Sequence, residues 1–309
     1  MLKIAVLGPG GVGGFVAAAL VRSGAHVLVV ARAQTASVIA ERGIEVRSTA
    51  LGAEFIARPS ACERLESEVD VLLVATKANG LEPALERVQV EPGLVVPLLN
   101  GFEHMDRLRA RFGAHRVGAG VIRIESDRVA PGVIVQTSPS VRVDLASGDP
   151  VLEERVAELG SALQAAGIAV RRGASERQVL WSKVARLNAL ALTTSASDRP
   201  IGFVRSDPRW RSALEGAINE TVRVANADGA QLDAADTLAE LEQAHAELGS
   251  SMQRDIAAGR EPELDAIAGA VLRAGARHGV RCPTVTWLAE RVAERAKLSL
   301  DLPSDGRYP

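Results

Sequence analysis

The start of the chain shows blocks of apolar and polar positions that predict a strand, a turn, a helix and a second strand. An apolar run at Ile4–Leu7 is followed at once by a glycine-rich turn, Gly8–Gly14, and then by a stretch of helical periodicity. A second apolar run, Val27–Val30, ends just before Arg32. Short apolar runs joined through a helix are typical of neighbouring strands in a parallel sheet. The chain is therefore predicted to begin with a β-α-β unit.

Further apolar runs predict more strands in the first half of the chain. They are Gly43–Val46, Val69–Ala75, Leu94–Leu99, Val117–Ile124, Val133–Gln136, Val141–Leu145 and Ala169–Arg171. Helical stretches separate the early runs, so we expect a parallel sheet with later antiparallel additions and the last run as an edge strand. Apolar residues at helical spacing from Leu152 to Ala166 predict a helix that Gly167 ends.

After Ser175 the pattern changes to alanine-rich helical periodicity, with turn residues between the helices. We therefore predict an α/β domain over residues 1–173 and an all-helical domain over residues 174–309. The last stretch, Ser299–Pro309, is rich in Pro, Ser and Asp, and we expect it to be frayed.

The glycine-rich turn has the spacing of a phosphate-binding turn for a dinucleotide. In that frame Gly8 permits a tight turn after the strand, Gly10 lets the backbone approach a pyrophosphate, and Gly13 lets the helix pack closely on the sheet. The amides at the helix start then face the anion, assisted by the helix dipole. The predicted cofactor-binding residues of the turn are Gly8, Pro9, Gly10, Gly11, Val12 and Gly13. An incidental turn is the alternative, because glycine makes up 28 of the 309 residues.

Arg32 follows the second strand, where the adenosine ribose of a bound dinucleotide is expected to lie. NAD-binding proteins usually carry an acid there, but this chain has no acid between Ala25 and Ile39. A guanidinium suits a 2′-phosphate, so the predicted cofactor is NADP. A solvated arginine at a strand end is the alternative interpretation.

Composition narrows the classes of function further. The chain has 309 residues, of which 47% are hydrophobic and 24% charged, and its net charge is −2. These values are ordinary for a soluble globular protein, and the sequence shows no basic patch that would indicate nucleic-acid binding. The first apolar run is short and is broken by glycine, so we expect no secretory signal and no membrane segment. The expected location is the cytoplasm.

The cysteines and histidines indicate no metal site and no disulfide. Cys62 and Cys282 lie far apart and belong to no Cys-x-x-Cys or Cys/His cluster, so we expect small hydrophobic residues of the core. The histidines show no ligand spacing; they are His26, His104, His115, His245 and His278.

Several further segments complete a recognisable set with the glycine turn and Arg32. They are Lys77 and Asn100-Gly101 after predicted strands, Trp181-Ser182-Lys183-Val184 on a helix, the pair Ser251 and Asp255, and Glu263. With this set the chain resembles the ketopantoate reductase (2-dehydropantoate 2-reductase) family over nearly its whole length. The resemblance implies a Rossmann domain joined to a helical domain like that of 6-phosphogluconate dehydrogenase. It also implies NADPH-dependent reduction of a 2-oxo acid, by default 2-dehydropantoate to pantoate in pantothenate biosynthesis, and it suggests a homodimer.

The resemblance also implies roles for individual residues. Lys183 would donate the proton and orient the substrate, and Ser251, with Asp255 beside it, would contact the substrate. Lys77 and Asn100 would border the cofactor, and Glu263 would contact it from the helical domain. The chemistry agrees, because hydride delivery to a ketone builds negative charge on oxygen, which an ammonium can stabilise and then protonate.

Each of these residues has a structural alternative. Lys183 could be a solvated helix lysine. Ser250, next to Ser251, has the capping-box spacing to Gln253. Asp255 and Glu263 fall in the first turns of predicted helices, where acids oppose the helix dipole favourably.

The chain departs from the family where the substrate is bound. The family has asparagines four and eight residues after the lysine and another beyond the helix, where this chain has Leu187, Ala191 and Ile201. Arg186 lies about 60° from Lys183 around the helix and could offer a second cation, whereas Asn188 lies about 140° away and is expected to face elsewhere. A reductase of a more apolar 2-oxo acid and a non-catalytic NADP-binding protein therefore remain alternatives.

Overall fold

The computed structural model describes residues 2–299 and divides into two compact units. Within the described residues, the α/β unit comprises residues 2–99 and His104–Val179, and the helical unit comprises Asn100–Glu103 and residues 180–299. Apart from Ser299, the stretch predicted to be frayed lies outside the described residues.

The α/β unit contains every strand found in the described residues. In chain order they are β1 (Lys3–Leu7), β2 (His26–Val30), β3 (Ile44–Ser48), β4 (Ala53–Ala57), β5 (Ser60–Cys62), β6 (Val71–Val74), β7 (Leu94–Pro97), β8 (Ala119–Arg123), β9 (Ser126–Ala130), β10 (Val133–Gln136), β11 (Arg142–Ala146) and β12 (Ala169–Arg172). The helices of this unit are α1 (Gly11–Arg22), α2 (Ala33–Arg42), α3 (Leu81–Leu85), α4 (His104–Phe112) and α5 (Pro150–Ala165).

A parallel sheet with the strand order β5-β2-β1-β6-β7 forms the centre of this unit. Strands β6 and β7 are buried along their whole length, as expected for strands covered on both faces. In the register of the sheet, Leu7 lies opposite both Val30 and Val74, so the carboxyl ends of β1, β2 and β6 lie side by side. Ligands of such sheets bind outside this edge.

The structure corrects the predicted order of the sheet. The predicted third strand exists as β3, but it belongs to a second sheet of order β4-β3-β10-β9. The strand next to β2 is instead β5, whose three residues, Ser60–Cys62, give no apolar run. Strand β9 is almost wholly exposed and likewise carries no apolar signal. An apolar pattern reports burial and does not say which sheet a strand joins.

Three of the predicted later strands form a third sheet of order β12-β11-β8, whereas the predicted strand Val133–Gln136 is β10 of the second sheet. Strand β11 pairs antiparallel with β8 and parallel with β12. The predicted edge strand at Ala169–Arg171 exists as β12, at the edge of this sheet, and the predicted antiparallel pairing occurs between β11 and β8. The expectation that these strands add to the parallel sheet is wrong, because they form a sheet of their own.

Helices make up the rest of the described chain. They are α6 (Glu176–Ser197), α7 (Ile201–Ser206), α8 (Pro208–Ala227), α9 (Ala234–Glu242), α10 (Ser251–Ala257), α11 (Ala270–Arg277) and α12 (Pro283–Ala296), and a π-helical turn at Asp265–Gly269 precedes α11. From Val179 to Ala196, helix α6 is buried on nearly all sides. A helix that is buried on nearly all sides lies in the middle of its unit, so most side chains of this part of α6 are withdrawn from solvent.

In the described part of the chain, no helix has the length and apolar character that crossing a bilayer requires.

Candidate active site

The glycine turn has the geometry that its sequence predicts. Gly8 has a φ of +90°, which side-chain-bearing residues rarely adopt. A Cβ atom at Gly13 would lie 2.2 Å from the Gly8 carbonyl oxygen and 3.0 Å from Ala75 Cβ, so the helix and strand approach too closely for alanine. A Cβ atom at Gly10 would meet nothing within 4 Å. The tight turn and the close packing are therefore confirmed, and the space at Gly10 is open.

Helix α1 begins within this turn and directs its first amides outward. Gly10 is the N-cap, and the amide groups of Gly11, Val12 and Gly13 are the first of the helix, where no intrahelical acceptor exists. Such amides, with the positive end of the helix dipole, form an anion site. Pro9, the other predicted member of the turn, is buried. The turn can thus hold a pyrophosphate.

Two residues that sequence reasoning missed also shape the turn. Ser126 of β9 donates a hydrogen bond from Oγ to the Gly11 carbonyl at 2.8 Å. A Cβ atom at Gly11 would lie 2.2 Å from the backbone carbonyl oxygen of Ser126. Thr76 packs its methyl group against Gly8, and its hydroxyl is buried without a hydrogen-bond partner among the described residues. Such hydroxyls are rare unless a ligand or water satisfies them. Only the position of Thr76, after an apolar run, could have indicated it.

Arg32 and Lys77 lie at the same edge of the parallel sheet. Backbone hydrogen bonds hold the chain here: the Gly8 amide donates to Val30 oxygen at 3.0 Å, and the Ala75 amide donates to Leu7 oxygen at 2.9 Å. Arg32 is exposed at the N-cap of α2, and its guanidinium contacts no acceptor in residues 2–299. Lys77 is exposed at the start of a short 3₁₀ helix. Both cations are therefore presented at the edge where a dinucleotide binds.

Two other predicted cofactor residues contact each other in the helical unit. Asn100 donates a hydrogen bond from Nδ2 to Glu263 Oε2 at 2.8 Å. Because an ionised carboxylate only accepts, the amide nitrogen must face Glu263, and the amide oxygen of Asn100 is directed away from it. That oxygen can accept from a ligand hydroxyl. Glu263 precedes the first helical residue, Leu264, so the expectation that it lies in a first turn is wrong by one residue.

Lys183 is buried on α6, with a relative exposure of 9%. The alternative of a solvated helix lysine is therefore wrong. Its neighbour Trp181 stacks on Phe102 with ring centroids 4.5 Å apart and donates from Nε1 to Asp228 at 2.8 Å. These contacts fix the segment of α6 that carries the lysine. Buried cations of this kind tend to mark functional sites.

The start of α10 is mainly structural. Ser250 accepts a hydrogen bond from the Gln253 amide at 3.1 Å and one from Thr194 Oγ1 at 3.0 Å, which confirms the predicted cap. Ser251, the predicted substrate contact, is exposed as the first residue of the helix.

Asp255 lies beyond the first turn of α10, so the expected opposition to the helix dipole is wrong for this residue. Its carboxylate is buried and pairs with Arg260 Nε at 2.9 Å. This ion pair gives Asp255 a structural role, and the predicted substrate contact stays a prediction.

The residues described so far match a known family in both units. The family model "Ketopantoate reductase PanE/ApbA" matches residues 4–149, and "Ketopantoate reductase PanE/ApbA C terminal" matches residues 175–296. A 2-dehydropantoate 2-reductase of Mycobacterium tuberculosis is 30% identical over 290 residues, which cover 91% of this chain and 93% of that protein. The chain belongs to the ketopantoate reductase family. It is accordingly an oxidoreductase.

Solved structures confirm the predicted fold class of this ketopantoate reductase family member. The 2-dehydropantoate 2-reductase of Geobacter metallireducens is 27% identical with a TM-score of 0.86, over 95% of this chain and 99% of that one. D-mandelate dehydrogenase, solved with NADH and anilino(oxo)acetate, is 24% identical with a TM-score of 0.88, over 96% and 98% of the two chains. The fold is therefore a Rossmann domain followed by a helical domain.

The three apolar residues that stand where the family has asparagines differ in their burial. Ala191 and Ile201 are fully buried in the core of the helical unit, whereas Leu187 is half-buried. Only Leu187 therefore reaches the surface of the unit.

The two nearby polar side chains have different surroundings. Asn188 is fully buried and donates from Nδ2 to Thr221 at 2.9 Å, which agrees with the prediction that it faces away from the lysine. Arg186 Nε lies 3.7 Å from Glu240 Oε2, and its predicted contact with the substrate stays a prediction.

No group of three or more His, Cys, Asp or Glu side chains in residues 2–299 could hold a metal ion. Both cysteines are free thiols: Cys282 is buried and Cys62 half-buried. Burial raises the pKa of the Cys282 thiol to about 12, which makes it unreactive near neutral pH.

Proposed function

We propose that this chain reduces a 2-oxo acid to a 2-hydroxy acid with NADPH, and that 2-dehydropantoate is the default substrate. The observation that carries the proposal is the burial of Lys183 on the central helix α6. Taking a cation out of water is costly, so a lysine persists in such a place where an anion or a developing negative charge balances it.

The turn residues fit a dinucleotide. The open space at Gly10 admits a pyrophosphate, the first amides of α1 can hold its oxygens, and Arg32 can pair with a 2′-phosphate. Thr76 supplies a buried hydroxyl that lacks a protein partner in the described residues. When bound, NADPH supplies a hydride to the carbonyl carbon of the substrate.

Lys183 performs the complementary half of the reaction. As the carbon gains the hydride, the carbonyl π electrons move onto oxygen, and the Lys183 ammonium stabilises that charge. The proton then passes from Nζ to the oxygen, which gives the hydroxyl group and leaves a neutral amine that solvent reprotonates. Ser251 contacts the substrate carboxylate, and the Asn100 amide oxygen and Glu263 accept hydrogen bonds from cofactor hydroxyls.

A second candidate is a more apolar 2-oxo acid. Leu187, Ala191 and Ile201 cannot donate hydrogen bonds to a hydroxylated substrate, and pockets built for such hydroxyls gain much of their selectivity from these bonds. A branched or aromatic side chain would be bound better beside Leu187 than the hydroxyl of 2-dehydropantoate.

A substrate screen followed by the nicotinamide absorbance tests the proposal. Oxidation of NADPH with 2-dehydropantoate supports the default substrate and a role in pantothenate biosynthesis. Oxidation only with branched or aromatic 2-oxo acids supports the second candidate. Tight NADPH binding without turnover of any oxo acid would contradict both and would indicate a non-catalytic binding protein.

A further inference from the structure

The four residues Asn100–Glu103, which follow β7, contact the helical unit one after another. Asn100 bonds to Glu263, and Gly101, with a φ of +78°, lies so close to Ala266 that a Cβ atom would come within 2.2 Å of its carbonyl oxygen. Phe102 stacks on Trp181. The first three of the four residues thus form, in turn, a hydrogen bond, a close steric contact and an aromatic contact.

The fourth residue, Glu103, binds Arg273 through both carboxylate oxygens. Arg273 Nε lies 2.9 Å from Oε1, and its terminal nitrogen lies 2.6 Å from Oε2. On its other side the same guanidinium contacts Asp265 at 2.7 Å. A Cβ atom at Gly269 would lie 2.4 Å from Asp265 Oδ1 and 3.0 Å from the guanidinium, so the π-helical turn keeps this space clear. Bidentate pairs of this kind fix orientation as well as distance.

We propose that Arg273 is a positioning residue for the cofactor: through Glu103 it holds the Asn100–Glu103 segment so that Asn100 faces Glu263. This inference rests on the proposed function, because it takes Asn100 and Glu263 as cofactor contacts. Arg273 itself binds carboxylates of the protein and needs no contact with the ligand.

The physical consequence is weaker binding of NADPH when the ion pair between Arg273 and Glu103 is lost. Without the Glu103 contact, the segment occupies the binding-competent arrangement for only part of the time, and the apparent affinity falls by that fraction. Binding energy is then spent on ordering the segment. Catalysis in the filled complex is affected less, because the bound cofactor restores the arrangement.

Two substitutions that remove the same charge separate positioning from simple electrostatics. Glu103→Gln weakens the contact between Arg273 and the segment. Asp265→Asn removes only the other ion pair of Arg273, with the Asp265 side chain, which is 71% exposed. Each removes one negative charge, which by Coulomb's law favours an anionic cofactor. We expect the Kd for NADPH to rise about fivefold in Glu103→Gln, the effect of losing a typical ion pair. In Asp265→Asn it should stay the same or fall.

Amide hydrogen exchange of the cofactor-free proteins supplies a readout independent of the cofactor. Peptides covering residues 98–106 should exchange faster in Glu103→Gln than in wild type and at the wild-type rate in Asp265→Asn. Arg273→Lys keeps the positive charge but loses the bidentate geometry of the guanidinium, so its peptides should exchange at an intermediate rate. This variant replaces Glu103→Gln in the experiment if Glu103→Gln does not fold. Equal exchange in all variants overturns the inference. Failure of the wild-type protein to bind NADPH overturns the proposed function instead, and the exchange data still decide the inference.

Discussion

A single added methyl group should affect stability at one position of the glycine turn and cofactor binding at another. Gly13→Ala places a Cβ atom 2.2 Å from the Gly8 carbonyl oxygen and 3.0 Å from Ala75 Cβ. Both neighbours are fixed, because one is backbone and the other belongs to the end of a strand. Overpacking costs about 1–3 kcal/mol, and an approach of 2.2 Å to fixed backbone puts Gly13→Ala in the upper part of that range, at about 2–3 kcal/mol, of which helix propensity returns about 1 kcal/mol. We expect the free energy of unfolding to fall by about 1–2 kcal/mol.

Gly10→Ala, in contrast, should leave the fold nearly unchanged. The added methyl meets nothing within 4 Å, and the backbone of Gly10 is extended, with a φ of −76°. The weaker cap and the gain in unfolded-state rigidity each amount to about 1 kcal/mol or less and have opposite signs. If a pyrophosphate uses the open space, however, the methyl should raise the Kd for NADPH at least about tenfold, or about 1.4 kcal/mol.

Urea unfolding of the cofactor-free proteins and fluorescence titration with NADPH measure the two effects separately. Gly160→Ala in α5 is the matched control for a glycine-to-alanine change within a helix. A Cβ atom at Gly160 would make only ordinary contacts, the nearest at 3.4 Å. It should be neutral or slightly stabilising. Wild-type affinity in Gly10→Ala would refute the assignment of the turn, and wild-type stability in Gly13→Ala would refute the steric argument.

Three further predictions concern charged side chains. Lys183→Ala should lower kcat by about 10²–10⁴-fold, because a positioned acid is lost, with little change in NADPH affinity; an unaffected kcat would remove the lysine from the mechanism. Arg32→Asp should shift the ratio of kcat/KM values from NADPH toward NADH, and equal losses with both would argue against a 2′-phosphate contact. Arg295 hydrogen-bonds Asp198 and holds the pKa of that carboxyl below its ordinary value of 3.8. A depressed pKa stabilises the fold above pH 3.8, and the benefit is lost as the pH falls through the folded-state pKa. Asp198→Asn should therefore lower Tm at pH 7 but not at the acid end of a Tm-against-pH series, and a pH-independent difference would contradict this.

The sequence predicted the site best where a requirement is local. The tight turn at Gly8 and the close packing at Gly13 depend on neighbours within the first β-α-β unit, whose order was readable from apolar runs. The cap at Ser250 was predictable from its spacing to Gln253 for the same reason. Lys183 was found through the family resemblance, and its burial agrees with the apolar residues that flank it, Trp181 and Val184.

What the sequence could not give are contacts between distant segments. Nothing near Gly11 indicates that Ser126 will lie against it, and nothing in the Asn100–Glu103 segment indicates its partner Arg273. The three-residue strand β5 escaped because it is too short and too polar to form an apolar run. The partner of Asp255 is close in sequence, since Arg260 follows five residues later, just beyond the end of α10, but helical spacing alone does not predict a pair at that distance.

The helical unit is discontinuous in sequence, and this limits how the protein can be recombined. A crossover near residue 180 would transfer Trp181, Glu263 and Arg273 from one parent while Asn100–Glu103 came from the other. In such a chimera Gly101, Phe102 and Glu103 would face contact residues from a different parent protein. Exchange of helical units between relatives therefore requires that the four residues Asn100–Glu103 are transferred together with the helices.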